Sequence, residues 1–288
     1  MIDWPLDVVE SIARRRVVLF LGAGVSMNST NANGLHPPKW DKFLEEGISR
    51  CTGSTVEMKS LLKEGDLLSC CQLIKIRMGL QWINFIQDQF LTPSFQSAEI
   101  HKEIFELDAS IVLTPNFDKI YDNFANKQSN GFLKVKKFYD DDLPLALRGG
   151  AEQRLILKIH GCIDTPHKLI FTREDYAKAR HDHNRFYRFL EGFFLTHTFL
   201  FIGCGMKDPD LNLLLEQYAH SFSGAPANYV LLSTTSKGET KNLLNSNYNL
   251  DPLFYSPKDE HKELLDSIRD LKNRVSNKRE EIAQRWLW

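Results

Sequence analysis

A chain of 288 residues holds enough material for one large hydrophobic core, or for a core and a small subdomain. Its 42% hydrophobic and 25% charged content is that of a water-soluble globular protein, and a formal net charge of -1 supplies no global field to draw nucleic acid or anionic lipid. Cys51, Cys70, Cys71, Cys162 and Cys204 include no C-x-x-C pair, so neither a disulfide framework nor a zinc ribbon is expected; reduced thiols in a cytoplasmic protein are.

In the first sixteen residues the acids precede the basic cluster, the wrong order for a secretory leader. No uncharged apolar run reaches the ~18 residues a membrane span needs. Pro5 suits a first helical turn, and Val8, Val9 and Ile12 give the helix after it an apolar face. Arg14 to Arg16 read as its solvated end, favourable to the helix dipole. "RVVLFLG" is a short apolar run closed by glycine, and predicts a fully buried strand. "GAGVS" follows, with a polar loop and no immediate helix expected from Asn28 to Pro38. Residues 40–108 read as a helical insertion, with breaks near Gly53 and Gly79.

"SIVLTPNFDKIYDNF" predicts a second buried strand running into a helix, and "RLILKIHG" a third strand. "HKLIF" suggests a short further strand, "TREDYAKAR" a helix capped by Thr172 and Asp175, and "HDHN" a polar helix start rather than a metal site. "TFLFIGCG" is another strand; Leu211, Leu214, Leu215, Tyr218 and Phe222 share one face of the helix after it. "NYVLLST" and, more weakly, "NLDPLFYS" complete the strands. Residues 259–288 read as one helix with a Leu264, Ile268, Leu271, Val275 stripe. That helix either packs on the domain of residues 1–258 or docks another chain, with Trp286 and Trp288 as candidate contacts. Unalternated strands exchanging with helices predict an α/β fold: a Rossmann-like, mostly parallel sheet covered on both faces.

In such sheets ligands sit at the carboxyl ends of the strands. The Gly22–Ala23–Gly24 turn, with Ser26, lets backbone approach an anion closely, and is equally compatible with a tight structural turn. Thr114, Asn116 and Asp118 end the second strand. An amide can orient a water and a hydroxyl together, while Asn and Asp also serve turns and caps. His160 ends the third strand: an imidazole suits a general base near neutral pH, and a lone buried histidine is often structural.

"GAGVS", "TPNFD", "KIHGCIDTPHKLIFTREDY" and "FLFIGCGMKDPDL" stand in the order and rough spacing of sirtuin-like domains. The resemblance runs from Arg16 to about Leu232 and is strongest to the bacterial branch found in anti-phage defence, with its H-G-x-x-x-x-P, T-x-x-D-Y and G-x-x-x-x-D-P-x-L patterns. It implies a Rossmann-type domain that takes NAD+ as substrate, with Gly22, Ala23, Gly24 and Ser26 at the pyrophosphate. Asn116 and Asp118 would face the nicotinamide-side ribose, with Thr114 beside them. His160 would be the base, and Gly203 and Cys204 would line the adenosine side. The zinc-module C-x-x-C pairs of sirtuin deacylases are missing. Their "GIPDFR" is here "GLHPPKWDKF" and their G-T-S is here "GCG". The expectation is therefore an NAD+ glycohydrolase without a metal, a gated toxic effector that depletes NAD+ during infection. A non-catalytic NAD+ or ADP-ribose-binding subunit, or a protein deacylase, is the alternative. Since 288 residues leave no room for a separate sensor, gating is expected from homo-oligomerisation or an activating subunit: an ATPase, an Argonaute-like protein or a nucleotide-processing protein. No direct contact with nucleic acid or membrane is expected.

Overall fold

Apolar residues that continue on both faces of a strand can be satisfied only by cover on both sides, and that sets the architecture. The computed structural model describes residues 1–147, 153–222, 224–234 and 239–285. In chain order the first elements are α1 (Leu6–Ala13), β1 (Val17–Leu21) and a single turn, α2 (Ala23–Ser26). The insertion supplies α3 (Trp40–Arg50), α4 (Val56–Glu64), α5 (Leu67–Met78), α6 (Gln81–Phe90) and α7 (Glu99–Glu106). Next come β2 (Ile111–Thr114), α8 (Ile120–Gln128), β3 (Leu133–Lys137), α9 (Leu143–Leu147) and β4 (Arg154–Lys158). The chain continues through α10 (Arg173–Asp182), α11 (Asn184–Thr196), β5 (Thr198–Ile202), α12 (Pro209–Ser221), β6 (Asn228–Ser233), α13 (Thr240–Tyr248), β7 (Leu250–Tyr255) and α14 (Lys258–Gln284).

The seven strands form one sheet in the order β3-β4-β2-β1-β5-β6-β7, and every pairing is parallel. β1 lies at the centre, with Val18–Phe20 opposite Ile111–Leu113 on one side and Val17–Leu21 opposite Thr198–Ile202 on the other. Its alternate residues feed two cores. Val17, Leu19 and Leu21 pack with α1, α7 and α14; Val18 and Phe20 pack with α10, α11 and α12. A third core, around Phe43, Trp82 and Phe85, fills the insertion and reaches the main domain through Phe171. The expected Rossmann-like α/β architecture is thus present.

Several local expectations change. "HKLIF" is not a strand: Pro166–Lys168 form a 3-10 turn, and Leu169, Ile170 and Phe171 are buried beneath the site. β3 was not legible as a strand, because its lysines hide an edge strand that needs only partial burial. A helical turn, α2, does follow Gly22 at once, before the loop. Phe222 lies past the end of α12 and is 47% exposed, so it leaves the stripe. His181 and Asp182 end α10 and Asn184 opens α11, so "HDHN" is a junction between helices. Arg15 is not merely solvated; its guanidinium grips both carboxylate oxygens of Asp108.

The tail stripe packs inward. Leu264, Ile268, Leu271 and Val275 are buried against the face that holds α1 and α7. Asp259, Glu260 and His261 have φ of 51, 53 and 64°, so the regular helix begins only after them. Arg279, an apparent interruption of the stripe, donates to the carbonyls of Ile12, Ala13 and Leu107, satisfying the ends of α1 and α7. Trp286 and Trp288 lie outside the described residues.

Candidate active site

The order β4-β2-β1-β5 brings four carboxyl-end turns side by side, which is where an open α/β sheet offers a crevice. The turn after β1 crosses the turn after β5 backbone to backbone. Gly22 N–H donates to Ile202 O at 2.9 Å, and Gly24 N–H to Gly203 O at 3.0 Å. A Cβ at Gly22 would stand 2.5 Å from Gly203 O, one at Gly24 2.9 Å from Gly203 Cα, and one at Gly203 2.7 Å from Val25 N. Gly203 also has φ 67°. The glycines are therefore required by the packing of one turn on the other. Ala23 alone of this turn is exposed.

Cys204 sits in the same crossing, with Sγ 3.5 Å from Ile202 O and 3.6 Å from Phe20 O. Burial of the thiol pushes its pKa up, which disfavours the thiolate.

The loop after β2 is tied to that turn by a chain of hydrogen bonds. Thr114, buried, donates from Oγ1 to Leu21 O (2.7 Å) and accepts from Asn116 N–H (3.1 Å). The Asn116 amide donates to Gly22 O (3.0 Å) and Ser26 Oγ (3.1 Å). Ser26 Oγ in turn donates to Asp118 Oδ2 (2.9 Å), and Asp118 Oδ1 accepts from Ile120 N–H at the start of α8 (2.9 Å). Both carboxylate oxygens of Asp118 are thus engaged within the protein. Beneath them Lys158, fully buried at the end of β4, donates to Asp118 O and to Asp122 Oδ2 (2.8 Å for the latter). Burial opposes the lysine charge, but the carboxylates of Asp122 and Asp118 outweigh it and hold its pKa above the ordinary value.

His160 lies two residues past the end of β4 and is 5% exposed. Gly161, at φ 86°, turns the chain back so that Ile170 N–H reaches His160 O (3.1 Å). The imidazole stands edge-on to Tyr176, with centroids 5.1 Å apart and planes at 83°. Its Nε2 lies 3.1 Å from Asp208 Oδ2, out of line for a hydrogen bond, and has no other partner among the described residues. Tyr176 OH donates to the same Oδ2 (2.9 Å), while Asp208 Oδ1 caps α12 by accepting from Leu211 N–H (2.8 Å). Tyr187 and Arg180 hold the neighbouring Asp210.

Of the residues singled out in the sequence, Gly22, Gly24, Ser26, Thr114, Asn116, Asp118, Gly203 and Cys204 share one contiguous network. No hydrogen bond among the described residues joins His160 to it. Its neighbour Ile159 donates N–H to Thr114 O (2.9 Å), and the Phe117 ring centroid is 6.5 Å from that of His160. Lys158, Asp122, Tyr176 and Asp208 went unassigned. A lysine inside an otherwise apolar strand, and Asp–Pro opening a helix, were the available signals.

Among the described residues no helix is long and apolar enough to cross a membrane, and no three His, Cys, Asp or Glu side chains converge as metal ligands would. Several curated proteins are similar in sequence to most of the chain, three of which are as follows. "NAD(+) hydrolase ThsA" of Cytobacillus dafuensis is 24% identical over 212 residues, 73% of this chain and 40% of the relative. The protein of the same name from Enterococcus faecium is 28% identical over 211 residues, 72% of this chain and 40% of the relative. "Defense-associated sirtuin 2" of Bacillus subtilis is 24% identical over 212 residues, 73% of this chain and 20% of the relative. The chain thus spans less than half the length of each. The SIR2-like domain matches residues 110–253. That span starts at β2, ends within β7, and carries Asn116, His160 and the Asp–Pro turn at Asp208; with half its length matched, the chain belongs to the SIR2-like domain family.

Proposed function

We propose that this chain hydrolyses NAD+ to nicotinamide and ADP-ribose, as a gated effector that depletes NAD+ in anti-phage defence. The observation that carries the reading is that the Gly22–Ser26 turn, Asn116 and His160 each follow the carboxyl end of one of three adjacent strands, β1, β2 and β4. The names of the relatives, NAD(+) hydrolase and defense-associated sirtuin, support it. In this reading the pyrophosphate lies along Gly22, Ala23, Gly24 and Ser26, and the adenosine side along Gly203 and Cys204. Asn116, whose amide nitrogen is already committed, presents its Oδ1 to the nicotinamide-side ribose or to water. Thr114 and Asp118 act from beneath by holding that loop.

The ribose–nicotinamide bond breaks with its electron pair leaving on the ring nitrogen. Water adds to the oxocarbenium-like carbon, and its proton passes to His160. The catalytic demand is orientation, exclusion of bulk water and one base. Gating by self-association or by an activating protein accounts for how a cell tolerates the activity.

Nicotinamide release from NAD+, with purified chain alone and with native cell extract, tests this. His160→Ala is expected to lower release by about 10²–10⁴-fold and Asn116→Ala by a similar order, with the fold intact by circular dichroism. Release unchanged in both variants would remove the assignment. No release under any condition, with calorimetric binding of NAD+ or ADP-ribose, would make the chain a regulatory binding module.

A further inference from the structure

The histidine raises a question that the hydrolase reading leaves open: which ring nitrogen is the base. The groups that face His160 come from three elements. Tyr176 comes from α10, Asp208 from the turn before α12, and Phe117 from the loop after β2; Tyr187 and Asp210 share the small cavity behind it. Of these, only Asp208 brings an atom to a ring nitrogen, and it reaches Nε2 at 3.1 Å. Nε2 is buried and otherwise unpartnered, a costly state for an N–H donor or for a lone pair. Asp208 itself has little freedom: Oδ1 is fixed by Leu211 N–H and Oδ2 by Tyr176 OH.

We propose that Asp208, steadied by Tyr176, is a positioning residue that accepts the Nε2–H proton of His160, so that Nδ1 carries the lone pair and is the basic nitrogen. A small rotation of the ring brings Nε2–H into line, as often happens when a site tightens on its substrate. The role of His160 as base rests on the hydrolase reading; the tautomer does not. The arrangement makes Asp208 serve two ends at once. The carboxylate that caps α12 through one oxygen faces the His160 ring through the other. Any movement of α10 or α12 would therefore act on the base.

Asp208→Asn separates these duties. Leu211 N–H is a donor, so the amide oxygen must occupy the Oδ1 place and keep the cap, which Asn fills as well as Asp. The NH2 group then stands where Oδ2 was and offers a donor to Nε2, enforcing the opposite tautomer. Histidine side chains labelled with ¹⁵N, with His160→Gln to identify the His160 signals, report the tautomer by long-range ¹H–¹⁵N correlation. The wild type is expected as Nε2–H and Asp208→Asn as Nδ1–H, with α12 still capped and the variant's thermal midpoint lowered only by the loss of the Tyr176 acceptor at Oδ2. In the nicotinamide assay Asp208→Asn is expected to lose about 10²–10⁴-fold in kcat with KM little changed.

Nδ1–H in the wild type would overturn the proposal without any variant, and so would an unchanged tautomer in Asp208→Asn. The expected tautomers with no nicotinamide release from the wild type, alone or with native cell extract, would uphold the positioning role and remove the hydrolase reading. His160-dependent release with Nδ1–H in the wild type would do the reverse.

Discussion

Lys158 is the residue whose surroundings say most about how the site is held. It is wholly buried at the end of β4, and its Nζ spans the backbone of the Asn116–Asp118 loop and the Asp122 carboxylate. An ion pair in such a place adds little net stability over apolar residues of the same volume, but half of one is very costly. Lys158→Met leaves the Asp122 carboxyl buried without its partner, where burial already pushes its pKa up, and is expected to cost about 3–5 kcal/mol in urea unfolding. Lys158→Met with Asp122→Leu should regain most of that. If the double variant is as stable as the wild type but binds NAD+ poorly, the pair serves the loop rather than the fold. At the same scale, the glycines at 22, 24 and 203 are explained by their mutual contact. Their presence reports a tight crossing first and a ligand only through what that crossing exposes.

Among the elements, α14 shows how charge can anchor an amphipathic helix. Glu103 on α7 is buried between Lys272 (2.6 Å) and Arg269 (3.3 Å) of α14. Burial alone pushes its pKa up; the hydrogen bonds and charges of Lys272 and Arg269 more than reverse this, and the carboxyl sits below its ordinary value of 4.5. A carboxyl whose folded pKa is depressed stabilises the fold fully above the unfolded value and loses that contribution as pH falls through the folded one. Below pH 4.5 the attachment of α14 should therefore weaken. Trp4 donates to Ser267 O at 3.0 Å, so its fluorescence reports the change. Glu103→Gln should be less stable at neutral pH and flatter in its acid dependence. An acid profile identical to that of the wild type would show that α14 is held by its apolar stripe alone. α10 is anchored differently, by Thr172 and Asp175 satisfying each other's backbone N–H groups and by Lys75 pairing with Asp175. Tyr176, next to Asp175, is thereby placed against Asp208.

At the level of the whole molecule, the core of the helical insertion reaches the loop after β2. Phe117 stacks on Phe171 with centroids 4.2 Å apart, and Phe171 joins Trp40, Phe43 and Trp82 of the helical insertion. The insertion is thus packed on the segment that sits between Asn116 and Asp118. Phe171→Ala removes a fully buried ring and is expected to cost about 3–5 kcal/mol. If the loop is held by this stack, NAD+ binding will fall as well, while Ile282→Ala, on the other face of the sheet, will lower stability without that loss. Equal binding losses from the two variants would mean the insertion does not support the loop.

What the sequence determined by itself was the character of each segment. Unalternated apolar runs closed by glycine or a polar turn favour buried parallel strands, so β1, β2, β4, β5 and β6 were legible, and with them the fold class, while "HKLIF" shows the same signal on a segment that is not a strand. The same local chemistry put Asn116 and His160 at strand ends. Capping signals worked at Thr172, where the whole hydrogen-bonded motif lies within four residues. The tertiary structure alone decided which strand ends are neighbours, because pairing order is set by the packing of whole faces. It decided that the lysine-rich β3 is a strand at all, since an edge strand is stabilised by its partner β4 more than by its own burial. It also decided that the carboxylate beside His160 is Asp208, and that Asp118 is engaged by Ser26 of the turn after β1 and by the start of α8. Local propensity carries no information on contacts between distant segments, and each of those contacts depends on the strand order.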